Sequence, residues 1–418
     1  MDSSQPVAQL THDPYASMRI PEYRYLIIGR FTFIMALRMM STLVGWWVFV
    51  LTNDAFAIGL VGLAEVIPAL SLALYSGHVV DISRKRTLLL RVVFLYTVAA
   101  AMLLFLATPW TNSQLGNQQI TWGIYAVIFF TGIIRSFTGP VFSSILANIV
   151  PRQLLQNATT WSQGAWLSAA AIGHAMGGFL IAGLGIMGAL GVICAVLIVS
   201  ILILWNIKSR PPASSGEKKT WESVKEGLLF VFRSKELLGA MSLDMFAVLF
   251  GGAKAMIPYY ANVVLKIGPV GYGWLNAAID IGAIIVVVLL IIFPIKKAQG
   301  RKMMYSVAGF GLCIIAFAVS EVFLLSFFAM LIAGMLDGVS VVVRGTVMQL
   351  KTPDEMRGRV SSVSSMFIQS SNELGQFESG VAARAMGEIP SVLFGGCMTL
   401  LVVGITWFKA PTLRKLEY

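Results

Sequence analysis

Apolar residues in this chain come in long unbroken runs, set apart by short polar stretches. Twelve such runs are readable, at about 25–52, 56–77, 88–107, 122–147, 158–183, 186–206, 238–263, 271–294, 303–320, 322–349, 362–385 and 391–409. A helix of ~20 apolar residues crosses ~30 Å of hydrocarbon, so each run predicts a membrane-spanning helix. Membrane strands are not expected, because Ile284–Phe293 lacks the in/out alternation that a barrel strand requires. Residues 1–21 are polar and the first run is too long for a signal h-region, so no cleavable signal is predicted. The longest polar stretch, about 207–237, starts with Pro211, Pro212, Ser214, Ser215 and Gly216. In it Trp221, Val224, Leu228, Val231 and Phe232 share one helical face, with Glu222, Lys225, Glu226 and Arg233 elsewhere. That pattern predicts an amphipathic helix at the inner membrane surface, inside a cytoplasmic tether (207–237) joining six-helix halves at 1–206 and 238–418. The predicted fold is an all-α integral membrane protein.

Composition agrees with this. Of 418 residues, 57% are hydrophobic and 12% charged, against about 25% charged in an ordinary soluble domain. Mean hydropathy is +0.79. The net charge of +11 is a topology signal: 24 of the 31 Lys and Arg residues fall in the termini and even-numbered loops. Loop 2–3 holds Arg84, Lys85 and Arg86, loop 8–9 Lys296, Lys297, Arg301 and Lys302, and loop 10–11 Lys351, Arg357 and Arg359, whereas the odd loops hold only Lys266 and Arg384. The asymmetry predicts a multi-pass protein of the inner (cytoplasmic) membrane with both termini in the cytoplasm. No basic cluster is left over for nucleic acid. Cys194, Cys313 and Cys397 are too scattered for a disulfide framework or a metal site. There is no HExxH, GxSxG or paired-histidine motif, so neither an enzyme nor a cofactor is expected.

A shift of 202 residues aligns Gly132 with Gly334, Pro151 with Pro353, Gly173 with Gly375 and Gly178 with Gly380. It also sets Arg135 against Asp337. Parallel repeats of this kind are one architecture of secondary transporters, with the substrate site near the midplane between them.

Eleven ionisable residues lie inside the apolar runs: Arg30, Arg38, Glu65, Arg135, Asp244, Lys254, Asp280, Asp337, Arg344, Glu373 and Glu378. Each costs at least ~2.5 kcal/mol at the bilayer centre, so together they predict a polar interior with ion pairs and a proton path. Asp337 and Arg344 share a helix face about 10 Å apart, too far for an easy direct pair. Glu373 and Glu378 point to different surroundings, which argues against a shared-proton dyad. Arg38 is a better site candidate than Arg30, which is nearer the cytoplasm. A coupling carboxylate needs burial and a nearby cation, both switched by conformation. Glu65, Asp244, Asp337, Glu373 and Glu378 are the candidates, with Asp244 or Glu373 expected to titrate. Trp46, Trp47, Tyr259 and Tyr260 are expected either to stack on an aromatic ligand or to sit in an interface belt.

These residues resemble the major facilitator superfamily over nearly the whole chain. Gly77, Asp81, Lys85 and Arg86 are similar to its loop 2–3 signature, with Ile82 and Arg84 departing from it, and Gly300-Arg301-Lys302 sits in the matching loop 8–9. Arg135 and Gly139 are similar to the helix-4 signature. Gly173, Gly177 and Gly178 are similar to the helix-5 signature of antiporters, with His174 where proline is usual. The stretches 244–252, 357–360 and 371–380 resemble the bacterial drug and siderophore exporter branch. Lys254, Asn276, Asp280 and Gln376 depart from what that branch usually shows. The resemblance implies proton-driven export by alternating access, with Gly77, Asp81, Lys85 and Arg86 as a conformational latch. The expected partners are a small-molecule substrate of drug or siderophore class, protons and the lipid bilayer, around a monomer. A lysophospholipid carrier and an importer are the alternatives on the same fold.

Overall fold

The computed structural model describes residues 13–210, 220–295, 297–353 and 356–417, and among these there is helix and no strand. The helices are α1 (Pro21–Thr52), α2 (Ala55–Ile82), α3 (Lys85–Leu106), α4 (Asn117–Ile149), α5 (Leu155–Leu204), α6 (Thr220–Arg233), α7 (Lys235–Gly251), α8 (Gly268–Ile292), α9 (Gln299–Ala318), α10 (Phe323–Lys351), α11 (Arg357–Met386) and α12 (Glu388–Lys409). Among the described residues, ten helical stretches are long and apolar enough to cross a membrane. One of them runs through α5, where Gly185 at φ 66° and ψ −177° breaks a 50-residue helix into two directions. Only glycine takes that conformation without a Cβ penalty. α11 is not among the ten; it carries Glu373, Gln376, Glu378 and a run of serines.

The turns follow local chemistry. α1 stops at Asn53, whose left-handed φ of 49° is one that asparagine tolerates. The Asp54 carboxylate then caps α2 by accepting from the Phe56 N–H at 2.8 Å. α7 loses α-helical geometry at Gly252 and continues through a short 3-10 turn, Ala253–Met256, that carries Lys254.

α1 lies along α5, fastened by the Tyr23 hydroxyl donating to the Ala158 carbonyl at 2.6 Å and the Ser200 hydroxyl donating to Gly29 at 2.9 Å. α2 packs on α4 and α8 on α10. The N-terminal helices α1–α5 meet the C-terminal helices α7–α12 along two seams, α2 with α11 and α5 with α8. Both seams depend on glycine. A Cβ on Gly178 would stand 2.4 Å from the Pro269 carbonyl oxygen and 3.0 Å from the Gly273 Cα. A Cβ on Gly62 would stand 2.9 Å from the Glu373 carbonyl oxygen.

Ring contacts between the two sets gather at the end where the chain turns at Asn53, Lys266 and Gly387. Trp46 faces Tyr272 at 5.6 Å, Phe49 faces Tyr259 at 6.4 Å, Phe56 faces Phe377 at 6.1 Å and Phe179 faces Trp274 at 6.3 Å. Trp46 and Trp47 are therefore buried rather than placed in a belt. At the opposite end, Arg86 with Trp205, Arg210 with Glu22 and Lys351 with Glu236 each stay within one set, and Arg359 pairs with Glu226 of α6.

α6 differs from the expected surface helix. Leu228 and Val231 pack on Val360 and Val363 of α11, while Phe232 turns outward. α6 leads directly into α7 through Ser234, and the Arg359–Glu226 ion pair fixes its rotation, so its apolar face is split between protein and surroundings. The side chains of Trp221, Glu222 and Val224 lie outside the described residues, as does Lys296.

Gly178→Ala is expected to lower the thermal midpoint of the detergent-purified protein by several degrees, the overpacking penalty being about 1–3 kcal/mol. Gly164→Ala, with open space around the added Cβ, should leave it unchanged or raise it. Both sites are helical, so equal effects would remove the close-approach argument.

Candidate functional site

Three segments bring one arginine to two carboxylates in the interior. Gly132 lets α4 approach α2 beside the Glu65 backbone, and Gly62 lets α2 approach α11 beside Glu373. Arg135 on α4 then places Nη1 2.8 Å from Glu65 Oε1 and 2.7 Å from Glu373 Oε1. The second Glu373 oxygen accepts from Gln376 Nε2 at 2.7 Å. The Glu373 side chain is only 10% exposed. One guanidinium thus lies between two carboxylates, and Arg38 also acts electrostatically on Glu65. The Arg135–Glu373 contact also crosses between the N-terminal and C-terminal sets.

A second group surrounds His174. Its Nδ1 lies 2.7 Å from Thr42 Oγ1 on α1, and its Nε2 lies 3.7 Å from Asp280 Oδ2 on α8. That carboxylate oxygen is buried and has no hydrogen-bond partner. Arg38, one turn before Thr42, rests its guanidinium 5.3 Å from the Trp166 ring centre. Arg38 and Lys254 are both close enough to act electrostatically on His174 and Asp280, and Lys254 acts likewise on Asp337. Gly173 and Gly177 bring α5 against α1 at Met35, Arg38 and Met39, which sets His174 facing α8.

Asp244 and Arg344 form a third arrangement, a direct ion pair between α7 and α10 with side chains 7% and 6% exposed. Ser340 donates to the other Asp244 oxygen at 3.4 Å. Asp337 and Arg344 do not touch each other; Arg344 takes Asp244 instead. Glu378 stands apart from Glu373, next to Ser379. Arg30 bonds to the Ser162 hydroxyl.

The latch residues behave differently from one another. Arg86 donates to the Trp205 carbonyl at 2.6 Å and lies over its ring, tying α3 to the end of α5. Gly77 has open space beside it, and Lys85 begins α3. The Asp81 side chain lies outside the described residues, as does that of Arg357.

Thr42, Trp166 and Ser340 were not singled out from the sequence. Each acts through a partner more than 90 residues away, and a lone hydroxyl or indole in an apolar run carries no local signal of that. Gln376 was legible only as a departure from an expected acid.

The profile of a family described as transmembrane secretion effectors matches residues 12–417. The chain belongs to this family, within the major facilitator superfamily. It is similar to the multidrug efflux pump Tap of Mycolicibacterium fortuitum, 22% identical over 89% of this chain and 91% of the relative. It is equally similar to the enterobactin exporter EntS of Escherichia coli O1:K1 / APEC, 22% identical over 92% and 90%. Among solved structures, a POT family transporter in complex with 5-aminolevulinic acid overlays with TM-score 0.73 at 11% identity, covering 94% of this chain and 96% of that one. A D-xylose-proton symporter overlays with TM-score 0.70 at 14% identity, covering 96% and 98%. The chain is thus a membrane transporter, and its family and relatives are transporters rather than enzymes.

In this transporter, breaking the Asp244–Arg344 pair should be more harmful than deleting it. Arg344→Leu leaves a buried carboxylate unpaired, at about 3–5 kcal/mol, and should depress yield and thermal midpoint. Arg344→Leu with Asp244→Leu should recover most of the loss. A double variant as unstable as the single one would show that packing, not charge, governs the site.

Proposed function

We propose that this transporter exports a small amphipathic compound of drug or siderophore class in exchange for protons, by alternating access. The supporting frame is twelve spans in two six-helix halves, counting α5 as two spans broken at Gly185 and adding α11 to the apolar helices. The repeat reading gains support from paired contacts. Gly132 meets α2 while Gly334 meets α8, and Gly178 meets Gly273 while Gly380 meets Gly59. The basic loops orient the protein with both termini in the cytoplasm. The aromatic contacts between the halves then lie at the outer end, which supports an inward-facing reading. The relatives named as exporters favour outward movement.

The observation that carries the coupling is the Arg135 guanidinium shared by Glu65 and Glu373 across the halves. A carboxylate holds such a tether only while deprotonated. Protonation of Glu373 converts an ionic acceptor into a neutral acid, weakens the tie to Arg135 and frees the halves to rearrange. Glu65 on the same half keeps Arg135 compensated meanwhile, so no bare cation is left in hydrocarbon. Asp244 is the weaker candidate, because its partner lies in its own half and both are enclosed.

The test uses inside-out vesicles loaded by an imposed pH gradient, with ethidium as probe. Glu373→Gln should reduce gradient-driven ethidium accumulation at least tenfold while keeping ethidium exchange without a gradient. Asp244→Asn is run beside it. Unchanged pH dependence in Glu373→Gln would end this assignment.

A further inference from the structure

The two seams between the helix sets carry polar ties of different kinds. At the α2–α11 seam Arg135 reaches Glu373 at 2.7 Å, a complete ion pair. At the α5–α8 seam His174 Nε2 stops 3.7 Å from Asp280 Oδ2, beyond hydrogen-bond reach. That oxygen is buried and accepts from no donor. A bare buried acceptor costs free energy, and here it faces an imidazole nitrogen of the other half. The backbones beside it are close. A Cβ on Gly273 would stand 2.7 Å from the His174 carbonyl oxygen and 2.9 Å from the Gly178 Cα. His174 lies about one turn from Gly178, and Asp280 about two turns from Gly273. The imidazole is held from its other side by Thr42 Oγ1 on α1, 2.7 Å from Nδ1. Both side chains are residues whose identity departs from the patterns that the chain otherwise resembles, and they meet across the seam.

We infer that His174 Nε2 and Asp280 Oδ2 form a proton-binding site that ties α5 to α8 when it is occupied. With Thr42 Oγ1 accepting from Nδ1–H, the Nε2 lone pair faces the lone pairs of Oδ2. Two acceptors hold each other off, which accounts for both the gap and the bare oxygen. One proton taken from hydronium bonds to either atom, leaves water behind and brings the pair from one negative charge to none. It belongs to the pair rather than to one residue. The resulting hydrogen bond draws the two atoms together and adds a directional tie to a seam otherwise made of backbone and ring contacts. The charged groups that act on both residues are Arg38 on α1 and Lys254 at the break of α7, and Lys254 acts also on Asp337 of α10. Arg38 shares a half with His174 and Lys254 shares one with Asp280. The sign is opposite to that proposed for Glu373. A proton there weakens the α2–α11 tie, whereas a proton here makes the α5–α8 tie. Protons then shift adhesion from one seam to the other, which favours a rocking of the halves over a simple release. The role in transport rests on the proton-exchange reading; the proton site itself does not.

The test reads the seam directly. Spin labels are placed at Leu184→Cys on α5 and Val263→Cys just ahead of α8, both exposed positions. The full-length protein, with Cys194, Cys313 and Cys397 changed to serine, is held in lipid nanodiscs, and pulsed electron paramagnetic resonance gives the distance distribution. Glu373→Gln is the background, so that the other seam adds no proton response. Going from about pH 8 to about pH 5 should raise the ratio of short to long distances about tenfold. His174→Gln and Asp280→Asn should each hold that change under about twofold, and the double variant should go no further, because one proton is shared. Asp280→Glu should keep the response, which separates proton binding from misfolding, and monodispersity on gel filtration checks each variant. A flat response in the background, a response that persists in either single variant, or losses that add in the double variant overturns the inference. Ethidium transport by protein with Glu373 intact tells separately whether the transport reading stands.

Discussion

Hydrocarbon does not solvate charge, and this constraint organises the molecule. Every ionised side chain in a span must find its counter-charge within the protein or face a polar space. Arg135 satisfies it by taking one carboxylate from its own helix set and one from the other. The contact is available only because Gly132 and Gly62 remove the side chains that would hold α4, α2 and α11 apart. Electrostatic matching in the interior is therefore bought with backbone proximity, and the glycines are as much part of the site as the charges.

The same economy of side chains shapes the seam between the helix sets. Gly178 against Gly273 and Gly59 against Gly380 bring backbones together where dispersion and apolar rings supply the adhesion. Such contacts have little directional energy, so seams of this kind separate without leaving polar groups unsatisfied. Among the described residues, directional ties between the sets include Arg135 with Glu373 and the long His174–Asp280 approach. A structure meant to part along this line would place its polar ties so that a proton or a ligand can undo them.

Much of this was legible in the sequence, in proportion to how local the physics is. The apolar runs fall within helices because crossing the bilayer demands a long apolar stretch, though the helices run past them; the run predicted at 122–147 lies inside Asn117–Ile149. The break near residue 185 was readable from the run pattern, though the helix passes through Gly185 with a single change of direction. The eleven ionisable residues within the apolar runs were readable one at a time. Their partners were not, since Arg135 and Glu373 are 238 positions apart and nothing along one helix states which face meets which neighbour. The packing of α6 on α11 was not legible for the same reason. Its amphipathic pattern is real, but periodicity cannot tell a membrane surface from the flank of α11.

The three charge arrangements differ in a way that sorts their roles. Asp244 and Arg344 are enclosed in one helix set and match one to one, so any rearrangement of the two sets leaves them together; their work is to hold α7 on α10. Glu65 and Glu373 share Arg135 across the sets, so this contact depends on how the sets meet. Around His174 the charges stand apart: Asp280 comes no nearer than 3.7 Å to His174, and its buried oxygen has no hydrogen-bond partner. A pair enclosed in one set and an arginine shared across the two sets place charge in different relations to the seam. In a solvent as poor as hydrocarbon, a pair enclosed in one set keeps its partner however the sets meet, whereas a pair that spans them depends on the seam.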